Sequence, residues 1–398
     1  MRQVGLWPSW GTVLSVQIDE NVGGPAVMAR AWAEVDLEAI GRNVEELRRV
    51  AAPAQVCAVV KADGYGHGAA PVARAALDAG ATWLAVAQVP EAAPLRDHGI
   101  EAPILLLSQP RPDEVDDALD LDLDIAVYTP GMVRRLAAAA KGRKVAARLH
   151  LKVDTGMRRV GVPPGEALEL ARSIARERWL GLGSVWTHCA VADEPDHPFT
   201  AEQLQRYDAV LADLAAAGID VPMRHAANSA GAIAHPASRY DLVRCGISTY
   251  GIPPAPALAG RADLHQAVRL ATEVGFVKPV PAGEGISYGL RYRTERDTVV
   301  ATLPIGYADG VPRRLGLMGQ EVLIGGTRHP IVGVVTMDQL MVDVGPGSTV
   351  APGDEAVLLG TQGEEHITPD EWAGRLGTIS YEVVCAIGAR VERRYPSS

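Results

Sequence analysis

A regular alternation of short apolar runs and helical patterns between residues 55 and 246 limits the possible folds more than any other feature. The apolar runs predict eight strands, at residues 55–61, 83–87, 104–108, 125–128, 146–154, 180–188, 223–228 and 242–246. Helical patterns lie between them, for example at residues 69–79, 112–119, 131–140, 166–178 and 203–216. Eight strand–helix units favour a (β/α)8 barrel over an open doubly wound sheet. No Gly-x-Gly-x-x-Gly motif follows the first of these strands, which weakens the open-sheet alternative.

The segment before this repeat divides at residue 30. Residues 1–29 show no periodicity and lack the basic start and long apolar stretch of a secretory signal. We expect a disordered extension here, or a natural start at Met28. An alternating run at 32–37 then predicts a strand, and Asp36 is suited to cap an amphipathic helix over 37–50.

The pattern changes after residue 250. A proline-rich connection at 251–256 leads into short β-rich runs at 267–277, 298–303, 321–324, 330–335 and 356–359, with glycine and proline between them. These runs predict a separate all-β domain. We therefore expect an α/β protein in which a (β/α)8 barrel over residues 30–250 is followed by an all-β C-terminal domain over 251–398.

The composition excludes several classes of function. A formal net charge of −10 without a long basic block argues against a nucleic-acid partner. No run of about 18 apolar residues occurs, so we predict no membrane span. The chain has four cysteines and ten histidines. The cysteines form no Cys-x-x-Cys pair, and the histidines show no spacing typical of metal ligands. This pattern predicts reduced thiols in a cytoplasmic protein and no metal site.

The end of the first predicted strand carries a lysine, Lys61, and a glycine-rich loop follows it directly. Gly64, Gly66 and Gly68 allow the backbone to turn sharply there. A lysine between a buried strand and such a loop is partly desolvated, which lowers its pKa and favours the neutral, nucleophilic amine. Composition alone favours the interpretation of Lys61 as a lysine that ends a strand and extends to water.

Other unusual polar residues also follow the ends of predicted barrel strands. The segment 150–161 ends the fifth strand, Thr187 and His188 the sixth, Asn228 and Ser229 the seventh, and the segment 244–247 the eighth. In a (β/α)8 barrel the carboxyl ends of all strands lie on one face, where reactive groups collect. The predicted fold therefore brings these residues together with Lys61.

Several of these segments resemble the alanine racemase family. The string Val-Val-Lys-Ala-Asp-Gly-Tyr-Gly-His-Gly at 59–68 closely resembles the motif around that family's cofactor lysine, and Lys-Val-Asp-Thr-Gly-Met at 152–157 is a second strong match. Further matches lie in the predicted β domain, at 285–289, 305–310, 336–339 and 378–381. The resemblance extends from Trp32 nearly to the C-terminus. It implies a pyridoxal 5'-phosphate enzyme with a barrel and a C-terminal β domain.

The resemblance assigns one group of residues to the cofactor. Lys61 would hold it covalently, and Arg244 would contact the pyridine nitrogen with His188 packed behind. Because arginine keeps its proton, it would leave the ring a weaker electron sink, which favours racemisation over transamination. Lys152, often carbamylated in the family, would help to hold Arg159. The phosphate end would involve Tyr65, Ser229, the amides of Gly246 and Ile247, and Tyr381, and Asn228 would also contact the cofactor. Taken singly, Ser229 and Tyr381 would by default be a turn serine and a core tyrosine.

A second group would act on the substrate. Tyr288 would be the second base, facing the α-carbon from the side opposite Lys61, with Tyr288 acting on the L-isomer and Lys61 on the D-isomer. The other substrate contacts would come from Arg159, Tyr307, Met337 and Asp338. In the family the segments that match 285–289, 305–310 and 336–339 reach the active site of the partner subunit, which implies a head-to-tail homodimer with shared sites.

The implied reaction is the interconversion of L- and D-alanine, which would supply D-alanine for peptidoglycan. Three alternatives remain: a racemase of another small amino acid such as serine, a barrel-type amino-acid decarboxylase, and a non-enzymatic carrier of the same cofactor. The decarboxylase's acidic loop and cysteine motif are not found, and a β domain containing Tyr288 argues against the carrier. Departures from the family pattern at Arg158, Cys245 and Thr336 leave the substrate range open.

Overall fold

The computed structural model describes residues 30–396, so the predicted extension at 1–29 lies outside the described residues, as do 397 and 398. The chain starts with strand β1 (Ala31–Val35) and helix α1 (Leu37–Ala51). Asp36 caps α1 as expected, because its carboxylate accepts a hydrogen bond from the Ala39 amide at 2.8 Å.

Eight parallel strands form the barrel, and helices cover it. The strands are β2 (Gln55–Val59), β3 (Trp83–Val86), β4 (Ile104–Leu106), β5 (Asp124–Val127), β6 (Ala147–Lys152), β7 (Leu180–Trp186), β8 (Arg224–His225) and β9 (Leu242–Cys245). The further helices of this part are α2 (Lys61–Tyr65), α3 (Ala69–Asp78), α4 (Val89–Asp97), α5 (Val115–Asp120), α6 (Pro130–Arg143), α7 (Ala167–Ala175), α8 (Phe199–Ala216) and α9 (Ser229–Ala234). Because each strand is covered on both faces, its residues are almost all buried, which explains the continuous apolar runs in the sequence.

The strands are hydrogen-bonded in the order β8-β7-β6-β5-β4-β3-β2-β9. The two ends of this order meet, since the Arg244 amide donates to the Ala227 carbonyl and the Asp241 amide to the Arg224 carbonyl, both at 3.0 Å. The prediction of a (β/α)8 barrel is therefore confirmed. Its carboxyl-end face lies where β2 passes into Lys61 and β9 into Gly246.

Strand β1 differs from its expected place. It pairs antiparallel with β10 (Val268–Glu273) and parallel with β20 (Glu392–Arg394), both strands of the second domain, and not with any barrel strand. The expected barrel range of 30–250 therefore includes one strand that belongs to the other sheet. Its apolar alternation indicated a strand correctly, but alternation does not identify the neighbour that pairs with it.

The second domain is built mainly of strands, as predicted. Besides β10 and β20, its strands are β11 (Phe276–Val280), β12 (Gly285–Ile286), β13 (Tyr292–Arg293), β14 (Thr298–Leu303), β15 (Glu321–Ile324), β16 (Thr327–Pro330), β17 (Leu340–Asp343), β18 (Glu355–Gln362) and β19 (Glu365–Ile367), with helices α10 (Pro369–Leu376) and α11 (Ser380–Cys385). A mixed sheet has the order β16-β15-β18-β10-β1-β20, and β19 pairs with β18. A three-stranded sheet has the order β11-β14-β17, and β12 pairs with β13.

Among residues 30–396, none of the helices has both the length and the apolar character needed to cross a membrane.

Candidate active site

Lys61 lies just after β2, at the start of a left-handed turn. Ala62, Asp63 and Tyr65 have φ values of 52°, 50° and 52°, a conformation that side chains other than glycine rarely adopt. The Gly64 amide donates to the Val60 carbonyl at 2.9 Å and the Gly66 amide to Ala62 at 3.0 Å, so backbone hydrogen bonds stabilise the turn. Strained backbone of this kind is concentrated at functional sites.

The sequence analysis placed Lys61 at the end of the strand, and the structure places it two residues beyond Val59. Its amine is largely removed from water, and this burial, together with the nearby charge of Arg159, lowers its pKa. Both effects disfavour the ammonium form. The predicted neutral amine at this face of the barrel therefore has a physical basis.

Four basic side chains, those of Lys61, Lys152, Arg159 and Arg244, lie together at the carboxyl-end face of the barrel, here called the barrel mouth. Burial, followed by the charges of Arg244, Arg159 and Lys61, lowers the pKa of Lys152 to about 7. The Lys152 ammonium also lies 4.2 Å from the centre of the Trp186 ring, and the Arg244 guanidinium lies 4.7 Å from it. None of these four basic side chains forms a salt bridge with a carboxylate among the described residues. The cluster is therefore suited to an anionic ligand.

Arg244, at the barrel interior, is almost completely buried. Its Nη2 donates to the Thr187 and Ala226 carbonyls at 2.8 and 2.9 Å, and lies 3.3 Å from His188 Nδ1. The predicted neighbours Arg244 and His188 are thus in contact. Burial, and then the charge of Arg244, holds the pKa of His188 well below its usual range, so this histidine is neutral.

A small polar recess lies between β9 and helix α2. The Ser229 hydroxyl accepts a hydrogen bond from the Gly246 amide at 2.9 Å, and a Cβ at Gly246 would stand only 2.3 Å from the Tyr65 hydroxyl oxygen. Any larger residue would fill this recess. The Tyr381 ring lies 6.2 Å from the Tyr65 ring, so Tyr381 reaches the same region. Ile247 follows Gly246 and is fully buried.

Asn228, another residue predicted to contact the cofactor, has a side chain with a local structural role. Its Oδ1 accepts a hydrogen bond from the Gly231 amide at 2.9 Å and caps helix α9. This contact fixes the start of the helix that carries Ser229.

Pyridoxal phosphate fits these features. The recess at Gly246 offers two hydroxyl groups and no side-chain volume, as an anionic phosphate requires. The unpaired cations would balance the charge of such a ligand, and none of the described residues accepts a hydrogen bond from Arg244 Nε. Lys61 would supply the amine for a covalent link.

The second domain brings its predicted residues together at a separate place on the same chain. The Tyr307 amide donates to the Thr336 carbonyl at 2.9 Å, and the Ala308 amide to Met337 at 3.0 Å. Gly306 permits this approach, since a Cβ there would stand 2.4 Å from the carbonyl oxygens of Thr336 and Met337.

Tyr288 lies in the turn between β12 and β13, and its side chain is 70% exposed. The preceding Ser287 has φ 63°, and its hydroxyl donates to the Val334 carbonyl at 2.7 Å. Tyr288, Tyr307, Met337 and Asp338 line one open depression, where Arg390 donates to Asp338 at 2.8 Å. Neither Lys61 nor Arg159 lines that depression.

The fold and the site together define a class: a two-domain barrel protein with a desolvated lysine amine at the carboxyl ends of its strands. Two family models match the chain, the N-terminal domain of alanine racemase over residues 35–254 and its C-terminal domain over residues 267–395. The chain belongs to the alanine racemase family.

Individual relatives agree with this assignment. The alanine racemase of Symbiobacterium thermophilum is 51% identical over 370 residues, covering 92% of this chain and 97% of that protein. The crystal structure of alanine racemase from D-cycloserine-producing Streptomyces lavendulae is similar with a TM-score of 0.88 and 40% identity, covering 93% of this chain and 98% of that one. A histidine racemase from Leuconostoc mesenteroides is also similar, with a TM-score of 0.86 and 28% identity over 94% of this chain and 99% of that one.

Two features of the site were missed by the sequence analysis. Glu91 binds the backbone beside Lys61, and a row of buried polar side chains leads away from Arg244. The row includes histidines inside predicted apolar strands. A histidine in the middle of a buried strand needs hydrogen-bond partners there, so this position was the available signal.

Proposed function

We propose that this chain is a pyridoxal-phosphate-dependent racemase that interconverts L- and D-alanine. The observation that carries the proposal is the desolvated Lys61 amine among unpaired cations, in a chain that is 51% identical to a protein named alanine racemase. The similar histidine racemase indicates that the fold accommodates other amino acids. The higher identity of the alanine racemases favours alanine here over serine or another small amino acid.

The residues that would hold the cofactor are those of the barrel mouth. Lys61 would bind it covalently, the recess formed by Tyr65, Ser229 and Gly246 would receive the phosphate, and Arg244 would face the ring nitrogen. Pyridoxal phosphate, when bound, supplies an electron sink that makes the α-proton of an amino acid removable. Arg244 keeps its own proton throughout, which moderates that sink and supports racemisation over transamination.

Two bases on opposite sides of the α-carbon are required for inversion. The lowered pKa of Lys61 favours its neutral form, which can accept a proton from the D-isomer. Tyr288 would serve the L-isomer from the other side. Arg159 would bind the substrate carboxylate, since a planar guanidinium suits a bidentate contact. Lys152, with a pKa near 7, has the neutral fraction that carbamylation by carbon dioxide requires, and the resulting anion would hold Arg159.

We infer that the active site is shared between two subunits of a homodimer. Tyr288, Tyr307 and Met337 are exposed on the second domain, in a depression that excludes Lys61. Large apolar and aromatic side chains that are exposed together are typical of an interface. A head-to-tail pair would place this depression of one subunit over the barrel mouth of its partner.

The proposal is tested by incubating the protein with pyridoxal phosphate and single enantiomers of alanine, serine and histidine, and following circular dichroism. We expect racemisation fastest with alanine and none with Lys61→Ala. Release of carbon dioxide would identify a decarboxylase instead. Binding of the cofactor with no change in any amino acid would identify a carrier.

A further inference from the structure

A continuous row of buried polar side chains crosses the barrel interior behind the proposed cofactor site. One comes from each of five neighbouring strands, β5 to β9, and none is more than 3% exposed: Asp124, His150, Ser184, His225 and Arg244. Buried polar groups of this kind need a hydrogen-bond partner at every position. The row therefore has a definite pattern of donors and acceptors.

Arg244 fixes the direction at one end. Its Nη1 lies 2.7 Å from Nδ1 of His225, and a guanidinium can only donate, so Nδ1 is the acceptor and carries no proton. Burial, followed by the charge of Arg244, keeps the pKa of His225 well below its usual range, so the ring is neutral. Its single proton is therefore on Nε2, which lies 2.9 Å from the Ser184 hydroxyl.

The same logic continues to the other end. Ser184 accepts from His225, which leaves its only hydrogen available to His150 Nδ1 at 2.7 Å. His150 then carries its proton on Nε2 and donates to Asp124 Oδ1 at 2.8 Å. A carboxylate can only accept, which agrees with this direction.

Asp124 is the only full negative charge in this row. Burial alone would raise its pKa, but hydrogen bonds from His150 and Arg148 outweigh burial and lower it. Arg148 donates a hydrogen bond from its Nε to Asp124 Oδ1 at 3.0 Å. The barrel backbone is adapted to this row: β6 and β7 shift register between Leu149 and His150, which sets His150 opposite Ser184.

We propose that Asp124 is a positioning residue for Arg244, and that it acts through His150, Ser184 and His225 by fixing both histidines in the Nε2-protonated form. Arg244 makes no ion pair of its own among the described residues. Because of this row, Arg244 Nη1 faces a ring nitrogen of His225 that can only accept a hydrogen bond. The Asp124 carboxylate at the far end polarises the hydrogen bonds of the row. Fully satisfied buried networks of this kind hold their members rigidly.

The catalytic consequence rests on the proposed function, in which Arg244 faces the cofactor, whereas the tautomers do not depend on it. The first experiment therefore uses the cofactor-free protein labelled with 15N-histidine, with His150→Gln and His225→Gln to assign the rings by NMR. We expect the unprotonated nitrogen to be Nδ1 in both rings. A proton on Nδ1 of either ring, or on both nitrogens, would overturn the proposal.

Two variants then separate the effect of the Asp124 charge from that of the unbroken row of hydrogen bonds. Asp124→Asn keeps an oxygen that can accept from His150 but removes the charge, so we expect both tautomers to persist. Ser184→Ala cuts the row, and we expect His150 to lose its single tautomer. An unchanged His150 signal in Ser184→Ala would contradict the row. The wild-type measurement stands by itself if a variant does not fold.

The loaded enzyme gives the second readout. With Asp124→Asn we expect kcat to fall roughly tenfold or more, by analogy with the loss of groups that orient the ligands of a metal site, with KM for alanine nearly unchanged. Asp122→Asn is the matched control, because exposed Asp122 also contacts Arg148, at 3.2 Å, without contacting His150. Equal effects of the two substitutions would assign the result to Arg148. If the wild-type protein does not racemise alanine, the proposed function fails while the tautomer result stands.

Discussion

The carboxylate of Glu91 accepts a hydrogen bond from the backbone amide of Ala62, the residue after Lys61, at 2.7 Å. Its second oxygen accepts from the amides of Ala87 and Gln88, at 2.7 and 3.1 Å. Glu91 lies in the first turn of α4 and thereby joins the loop after β3 to the left-handed turn after β2. The position of Lys61 consequently depends on a carboxylate from the neighbouring unit of the barrel.

Glu91→Gln should weaken the hydrogen bonds that join the loop after β3 to the turn after β2. Glutamine has one acceptor oxygen, so the amides on one side lose their partner, and a hydrogen bond to a charged group contributes about 1.5–3 kcal/mol. We expect the free energy of unfolding in urea to fall by an amount of this order, and pyridoxal phosphate to bind more weakly. The control is Glu101→Gln at an exposed site, which should change neither quantity. Equal stability of the two variants would exclude this role for Glu91.

Lys61 should be the residue that carries the cofactor. We expect the loaded protein to be yellow, and borohydride should abolish its visible band by making the link irreversible. Peptide mapping should then find the label on Lys61, whose lowered pKa favours the attacking amine. A label on Lys152 would reverse the roles assigned to the two lysines.

Tyr288→Phe should separate the two faces of the reaction. If Tyr288 serves only the L-isomer, the variant should still exchange the α-proton of D-alanine with deuterated solvent while racemising very slowly. Exchange is measured by NMR for each enantiomer. Equal loss from both isomers would indicate a structural role for Tyr288, or a single base that serves both faces.

Subunit exchange tests the shared site. Lys61→Ala and Tyr288→Ala should each be nearly inactive, but in a mixed dimer one site receives both changes and the other receives neither. Random exchange makes about half of the dimers mixed, so roughly a quarter of all sites should be intact. Activity should recover toward that fraction. Continued inactivity, with exchange verified by differently tagged chains, would place both residues in one chain's site.

Lys152 should make stability depend on pH in the cofactor-free protein. Its pKa is about 7 in the folded state, mainly because of burial, against an ordinary value of 10.5, so between these values the unfolded chain binds more protons. Stability therefore rises with pH across this window, and the cost of burying the charge is fully present below it. In buffer free of carbon dioxide, Lys152→Met should be more stable than the wild type at pH 6.5, with the difference shrinking towards pH 9.5. A constant difference in the urea midpoint would contradict the lowered pKa.

The barrel could be predicted because each of its strands has a length and an apolar content that depend on local sequence. The place of β1 could not be predicted in the same way, since the choice between two sheets depends on residues more than 200 positions away: Trp32 pairs with Ala271 and Glu392.

The site divides similarly. Lys61 and Arg159 follow strands β2 and β6, and Arg244 lies near the carboxyl end of β9, where the fold concentrates function, so the sequence could single them out as candidates. Ser184 could not, because one serine in an apolar strand gives no indication of its partners. Its contacts with His150 and His225 depend on the register shift between β6 and β7, and Gly183 leaves room for the His150 ring, since a Cβ there would stand 2.9 Å from Nε2.

Strand β1 has a consequence for how the molecule can be divided and assembled. It lies between β10 and β20, so this strand, the first among the described residues, completes its sheet only after Glu392–Arg394 have been synthesised. A fragment starting at residue 267 would expose the facing edges of β10 and β20, and unpaired edges recruit strands from other chains. If the connection between the domains were broken, the two pieces would still be held together by the backbone hydrogen bonds of β1 with β10 and β20. That connection is therefore a suitable place for the new chain ends of a permuted protein.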